Sequence, residues 1–192
     1  VFKTNYFKYL NIIMEWCNIG LFLVEGTFKE TFKTKEIFSQ KVGKLTKAVE
    51  NNNVNLIEVQ VASDFSRSFF IFESTDENIL SKNLNEHDLF VELIKEVRIV
   101  GDDLDTVKKQ LDKVNYLVEW NIPENITMEQ YLARKSKNSV HYAEVPEVSF
   151  ARTYVCEDMS KCLCFYDAPD EAAVKRAREA VKTTIDLITE IE

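Results

Sequence analysis

Hydrophobic residues in this chain repeatedly switch between a period of two and a period near 3.6, the respective signatures of half-buried strands and amphipathic helices. Residues 20–26 and 114–120 are short apolar runs that predict strands, and each is followed by a polar loop. Over 34–50 the residues Ile37, Phe38, Val42, Leu45 and Val49 fall on one helical stripe, and over 127–143 Tyr131, Leu132 and Val140 do the same. Thr34 and Thr127 are placed to cap these helices. Residues 54–62 with 69–72, and 148–156 with 162–166, predict hairpins around Asp64 and Asp158. Thr75-Asp76-Glu77 and Pro169-Asp170-Glu171 open short helices, with acids where the helix dipole favours them, and strands over 93–100 and 185–191 close the two series.

The two series have the same order, β-α-β-β-α-β, the split βαβ or ferredoxin-like unit. They also share residues in one gapless register, offset by 94 positions. Leu23-Val24-Glu25 returns as Leu117-Val118-Glu119, and Val61, Asp64 and Ser66 return as Val155, Asp158 and Ser160. Asp76-Glu77 returns as Asp170-Glu171, and Leu93, Ile94 and Glu96 return as Leu187, Ile188 and Glu190. About a dozen such identities indicate a tandem repeat. The expected organisation is an N-terminal extension over 1–18, a first repeat over 19–100, a linker over 101–113 and a second repeat over 114–192. Phe2, Tyr6, Tyr9, Leu10 and Ile13 lie at helical spacings in the extension, although Val1 opens the chain and Met14, just before the repeat, offers another start. Leu104, Val107, Leu111 and Val114 give the linker the same helical period.

A unit of this kind covers one sheet face with two helices, so the other face should be polar if it meets water. Here it is not. Phe22 and Val24 alternate with Leu23 and Glu25, Phe69 and Ile71 with Phe70 and Phe72, and Leu163 and Phe165 with Cys162, Cys164 and Tyr166. Leaving several hundred Å² of that second face in water would cost on the order of 10 kcal/mol. The fold expected is therefore α+β, two tandem ferredoxin-like βαββαβ units packed sheet to sheet as a pseudo-dimeric α/β barrel, with further oligomerisation left open.

Thirty-two acidic residues against 24 basic leave a formal charge of −8, which opposes nucleic-acid binding by counterion release. Lys29, Lys33, Lys35, Lys41, Lys44 and Lys47 crowd one region at the spacing of a solvated helix face. Phe22 and Phe69-Phe70-Ile71-Phe72 resemble the stacking strands of RNA-recognition modules, but the basic and glycine pattern of those modules is missing. No stretch approaches transmembrane length, and the apolar segment Tyr9 to Met14 is broken by Asn11 without a small-residue cleavage site. Cys17, Cys156, Cys162 and Cys164 have no disulfide-framework spacing, so free thiols and a cytoplasmic location are expected. No nucleic-acid or membrane partner is expected.

Glu25 and Glu119 hold equivalent places in otherwise apolar strands, where a carboxylate is costly unless paired or ligating. They are candidates for a metal, a proton or a cationic ligand, or else reach water or a nearby Lys or Arg at a strand end. The thiols of Cys162 and Cys164 share a face and could take a soft metal with a third ligand, though small core residues fit the same pattern. His141, at the end of the second long helix, suits the helix dipole, and His87 suits a surface loop. No glycine-rich phosphate loop, serine elbow or HExxH occurs, which leaves nucleotide and triad hydrolysis without their machinery.

Tyr116-Leu117-Val118-Glu119, Ile126-Thr127-Met128-Glu129, the stretch Ser149 to Cys164 and Tyr166-Asp167-Ala168-Pro169-Asp170-Glu171 resemble a family of bacterial ferredoxin-like domains, some of whose members are described as nickel-binding proteins. The resemblance spans roughly 114–191, and 21–99 more weakly. It implies a dimer of such domains, here within one chain, and a divalent-metal site. One position departs: Arg176, and Lys82 in the first repeat, stand near the place where family members commonly carry a His, and neither cation ligates a metal as imidazole does.

The expected function is that of a binding protein without established catalysis, taking a divalent metal (Ni or Zn) or a small molecule between the repeats. Glu25, Glu119, Tyr154, Cys164 and Tyr166 are expected to line that site or its mouth. The alternatives are a small-molecule enzyme like the monooxygenases and isomerases of dimeric α/β-barrel topology, by fold analogy alone, or a structural or partner-binding module.

Overall fold

A computed structural model of the chain describes residues 19–29, 34–50, 54–101, 104–109 and 113–192; the helix expected within 1–18 lies outside them. The first half runs β1 (Gly20–Phe28), α1 (Lys35–Glu50), β2 (Asn55–Val61), β3 (Ser68–Ser74), α2 (Glu77–Asn85) and β4 (Leu89–Val100). The linker contains α3 (Leu104–Lys109). The second half runs β5 (Tyr116–Asn121), α4 (Met128–Asn138), a 3₁₀ turn (Ser139–Glu144), β6 (Ser149–Cys156), β7 (Lys161–Asp167), α5 (Glu171–Ala180) and β8 (Leu187–Glu190).

Local chemistry sets the helix starts. Asp76 accepts from the backbone N–H groups of Asn78 and Ile79, and Asp170 from that of Ala173. Thr127 and Gln130 form a reciprocal capping box. The second long helix is shorter than its hydrophobic pattern suggests. It ends at Asn138, and Val140, expected on the buried stripe, is 68% exposed. Residues 134–139 (Arg-Lys-Ser-Lys-Asn-Ser) offer no apolar side chain to hold a continuing helix down. The chain instead tightens into the 3₁₀ turn and packs Tyr142 against the second core.

The eight strands form one antiparallel sheet in the order β2-β3-β1-β4-β6-β7-β5-β8. The halves join where Val97–Val100 pairs with Thr153–Cys156. The outer strands meet as well: Ala62 bridges Ile191, Ser63 N–H donates to Glu190 O (2.9 Å), and Glu192 N–H donates to Val61 O (2.9 Å). The two ends of the sheet thus come together at that corner, which curls it into a barrel.

Strand alternation sorts the apolar residues into three cores. Phe22, Val24, Phe70 and Phe72 face α1 and α2; Val118, Cys162, Cys164 and Tyr166 face α4 and α5. Leu23, Phe69, Ile71, Leu117, Tyr154, Leu163 and Phe165 fill the barrel interior. The second apolar face of each half is therefore buried against that of the other.

Candidate functional site

The barrel interior holds two charged constellations, both built from residues 94 positions apart. At one end Glu25 and Glu119 meet Arg67 and Lys161, which are also equivalents of each other. Arg67 donates to Glu119 Oε1 (2.7 Å), Glu119 Oε2 (3.2 Å) and Glu25 Oε2 (3.0 Å), while Lys161 Nζ donates to Glu25 Oε1 (2.5 Å) and Glu119 Oε2 (2.7 Å). Burial pushes the Glu119 carboxyl up, but the bonds from Arg67 and Lys161 outweigh it and hold the group below its ordinary range. Deeper inside, Arg152 Nε donates to Glu58 Oε2 (2.9 Å), and a second guanidinium bond reaches Glu58 Oε1. Glu58 also accepts from Tyr154 OH (2.9 Å) and Gln60 Nε2 (3.0 Å). Each half thus supplies one charge of a buried pair that spans the two.

These contacts decide what the interior can do. Every carboxylate named there already accepts from two or more donors, and the space between the sheets is filled by aromatic and aliphatic side chains. Of the five residues expected to line one inter-sheet site, Glu25 and Glu119 come together, and Tyr154 lies apart from them on Glu58. Cys164 and Tyr166 correct the expectation: they alternate with Leu163 and Phe165 and so point away from the interior, into the layer between β7 and the helices.

That layer holds a polar cluster. Arg178, on α5, is 2% exposed. Its Nη1 donates to Cys164 Sγ (3.3 Å) and Tyr166 OH (3.4 Å), and its Nη2 to Thr184 O (2.5 Å). Its Nε is buried with no partner among the described residues. Thr153 Oγ1 donates to Cys164 Sγ (3.2 Å) and receives Lys135 Nζ (2.8 Å); Tyr142 and Tyr166 hydroxyls meet at 2.8 Å. The neighbouring Cys162 and the Arg178 guanidinium hold the Cys164 thiol well below its usual range against the desolvation of burial, while Cys162 is pushed well above its own.

A cavity of about 30 Å³ opens beside this cluster, lined by Trp120, Tyr131, Arg134, Lys135, Cys164 and Arg178 among others. A wider groove of about 770 Å³ adjoins it, sharing Lys135, Ser139 and Tyr142 and walled by Leu132, Val148 and Phe150. The cavity lining includes three cations and no carboxylate.

The first half shows what this layer looks like without the cluster. At the positions of Cys164, Tyr166, Arg178 and Thr153 it has Phe70, Phe72, Leu84 and Val59, an ordinary apolar core. Backbone differences deepen the contrast. Leu89–Phe28 pairing carries β4 along the end of β1, and a Cβ on Gly26 would lie 2.5 Å from Phe90 O. In the second half β8 begins only at Leu187, so Trp120, at the position of Gly26, and Thr183 are free to line the cavity. Sequence reading missed Arg178, Lys135 and Thr153. The available signal was a cation one helical turn after Val174, on the stripe that also carries Ala173 and Ala177.

The donors present do not fit a divalent cation. Among the described residues no group of three or more His, Cys, Asp or Glu side chains converges. Glu25 and Glu119 are each held by two cations, and the thiols of Cys162 and Cys164 face a guanidinium. His141 pairs with Glu144 in the 3₁₀ turn, and Arg176 with Glu147 at the surface.

Residues 116–191 match the family described as nickel responsive protein SCO4226-like. No curated protein matches the chain. The crystal structure of SCO4226 from Streptomyces coelicolor A3(2) aligns with 40% of this chain and 93% of its own, at 18% identity and a TM-score of 0.35. A putative monooxygenase from Lactobacillus acidophilus NCFM aligns with 91% of this chain and 93% of its own, at 9% identity and a TM-score of 0.48. The putative chlorite dismutase TA0507 aligns with 91% of this chain and 94% of its own at 11% identity, and its TM-score of 0.53 shows a shared fold: the chain is a dimeric α/β barrel whose second half matches the nickel-responsive family.

Proposed function

We propose that this protein binds a small anionic organic molecule, and that the second half alone carries the site, in the cavity and groove between β7, α4 and the 3₁₀ turn. One observation carries the reading: Arg178 is buried with an unsatisfied Nε beside Lys135 and Arg134, and no carboxylate lines the cavity. Three cations turned toward one cavity, with a single sulfur as the nearest group able to oppose them, leave positive charge for a ligand to meet. The concentration of cations is the more telling in a chain whose acids outnumber its bases by 32 to 24. The adjoining groove lies within the ~300–1,000 Å³ usual for ligand sites, and Tyr142, Phe150 and Leu132 give it apolar walls. A carboxylate or phosphate on an aromatic body matches both parts. A tandem repeat would account for this division of labour, with the first half keeping an apolar helix layer. Free thiols at Cys156, Cys162 and Cys164 suit a reducing compartment, and no helix among the described residues is long and apolar enough to cross a membrane.

Calorimetric titration with benzoate, phenylacetate and phenyl phosphate, each against its neutral amide or alcohol, tests the proposal. At least one anion should bind, its neutral counterpart should not, and Arg178→Met should weaken it tenfold or more. Binding of neither form, or of both equally, overturns it.

The match of 116–191 to a nickel-responsive family is the observation on the side of a metal, against a donor set that, among the described residues, offers no more than the two thiols of Cys162 and Cys164. Titration with Ni²⁺ and Zn²⁺ tests the metal reading, and silence toward both removes it.

A further inference from the structure

We infer that Cys164 is a peroxide-reactive cysteine, its sulfur hydrogen-bonded by Arg178 and Thr153 and reached through the small cavity of the second half. The inference does not depend on the organic ligand proposed above.

The sulfur accepts two hydrogen bonds, from Arg178 Nη1 at 3.3 Å and from Thr153 Oγ1 at 3.2 Å. Lys135 reinforces the second by donating to the same threonine oxygen at 2.8 Å. The titratable and charged groups that face Cys164 are Arg178 from α5, Lys135 and Tyr131 from α4, Tyr142 from the 3₁₀ turn, and Cys162 and Tyr166 from β7. No carboxylate stands among them, so the thiolate is the anion that these cations meet inside the protein. The first half supplies the comparison, since Phe70, Leu84 and Val59 stand at the positions of Cys164, Arg178 and Thr153 and pack without any of this chemistry.

Access favours a very small oxidant. Cys164 is 2% exposed, but it lines the cavity of about 30 Å³, roughly twice what one water requires and enough for hydrogen peroxide. The sulfur attacks one peroxide oxygen; the S–O bond forms as the O–O bond breaks. Cys164 is oxidised by two electrons to the sulfenic acid, retaining the proton of the attacked oxygen, and the other oxygen leaves as hydroxide. Lys135 and Arg134, which line the same cavity, are the cations placed to meet the leaving hydroxide.

The test exposes the intact protein, free of organic ligand, to limiting hydrogen peroxide and follows each cysteine by peptide mass spectrometry. Cys164 should gain one oxygen first, at a rate nearly flat between about pH 6 and 8, whereas a thiol of ordinary pKa reacts about tenfold faster per pH unit over that range. Cys156 is the internal control, equally free but with its thiol pushed up by burial. Thr153→Val, which keeps the side-chain volume, should slow Cys164 oxidation about tenfold with the far-ultraviolet spectrum unchanged. Arg178→Lys should retain more of the rate than Arg178→Met. Oxidation of Cys156 as fast as Cys164, or a Cys164 rate that climbs tenfold per pH unit, overturns the inference. A failed benzoate titration leaves it standing.

Discussion

Replacing Arg152 by Met should destabilise the barrel more than almost any other single change, because it strands a carboxylate between the two sheets. Glu58 is 4% exposed and Arg152 2%. With the guanidinium gone, Glu58 keeps only the neutral donors Tyr154 OH and Gln60 Nε2. Breaking a buried ion pair from one side costs about 3–5 kcal/mol, and removing Glu58 instead takes the buried carboxylate from Arg152 at a similar cost. Either loss is a large part of the ~5–15 kcal/mol that separates a typical folded domain from its unfolded chain. Replacing both partners by Met removes two buried charges, which is neutral or stabilising by about 1–4 kcal/mol, and orphans the Tyr154 hydroxyl at about 1–3 kcal/mol. The double variant should therefore lie within about 3 kcal/mol of the parent, and the pair should couple by several kcal/mol. Urea midpoints of the four proteins, read by circular dichroism, supply the cycle. Additive effects, or an Arg152→Met cost below about 1 kcal/mol, would refute the argument that these two residues clamp the halves together.

Two further outcomes follow from the geometry. The depressed Glu119 carboxyl contributes stability that is present above the unfolded carboxylate range and is lost as pH falls through its folded value, so Glu119→Gln should flatten the acid limb of a stability–pH profile; an unchanged limb would place the acid sensitivity elsewhere. Gly26→Ala should cost about 1–3 kcal/mol in urea denaturation, because the new methyl would meet the Phe90 carbonyl at 2.5 Å, whereas Gly43→Ala in α1 meets nothing within 4 Å and should stabilise.

Much of the architecture was legible because strand alternation is a physical constraint. Phe22 and Val24 could not share a face with Leu23, and two apolar faces per half leave few arrangements other than a closed barrel. The duplicated acids were legible too, but their counterions were not, although the same register contained them. Arg67 and Lys161 each follow a glutamate by 42 residues. Glu58 and Arg152 face each other 94 residues apart. A repeat folded about a two-fold axis brings equivalent positions together near that axis, so opposite charges at equivalent positions are a sign of pairing that needs no structure. Val140 shows the opposite failure: a residue at helical spacing was read into a helix that the polar run at 134–139 had already ended.

Comparing positions 94 residues apart separates packing from the proposed chemistry. Where both halves carry comparable charge, at Glu25 and Glu119 or at Arg67 and Lys161, the groups satisfy one another and tie the barrel shut. Where the halves differ most, one side has Phe70, Phe72, Leu84 and Val59 and the other has Cys164, Tyr166, Arg178 and Thr153. Stability alone favours the first set, because aromatic and aliphatic packing carries none of the desolvation cost of a buried guanidinium. A fold that tolerates Arg178, an unsatisfied Nε and two adjacent thiols in one half, while its twin uses phenylalanine for the same space, retains that half for something other than packing. Swapping Leu84 and Phe70 into the second half, as Arg178→Leu with Cys164→Phe, should therefore keep the barrel folded by circular dichroism and abolish the aromatic-anion binding proposed for the cavity; retained binding would refute that proposal.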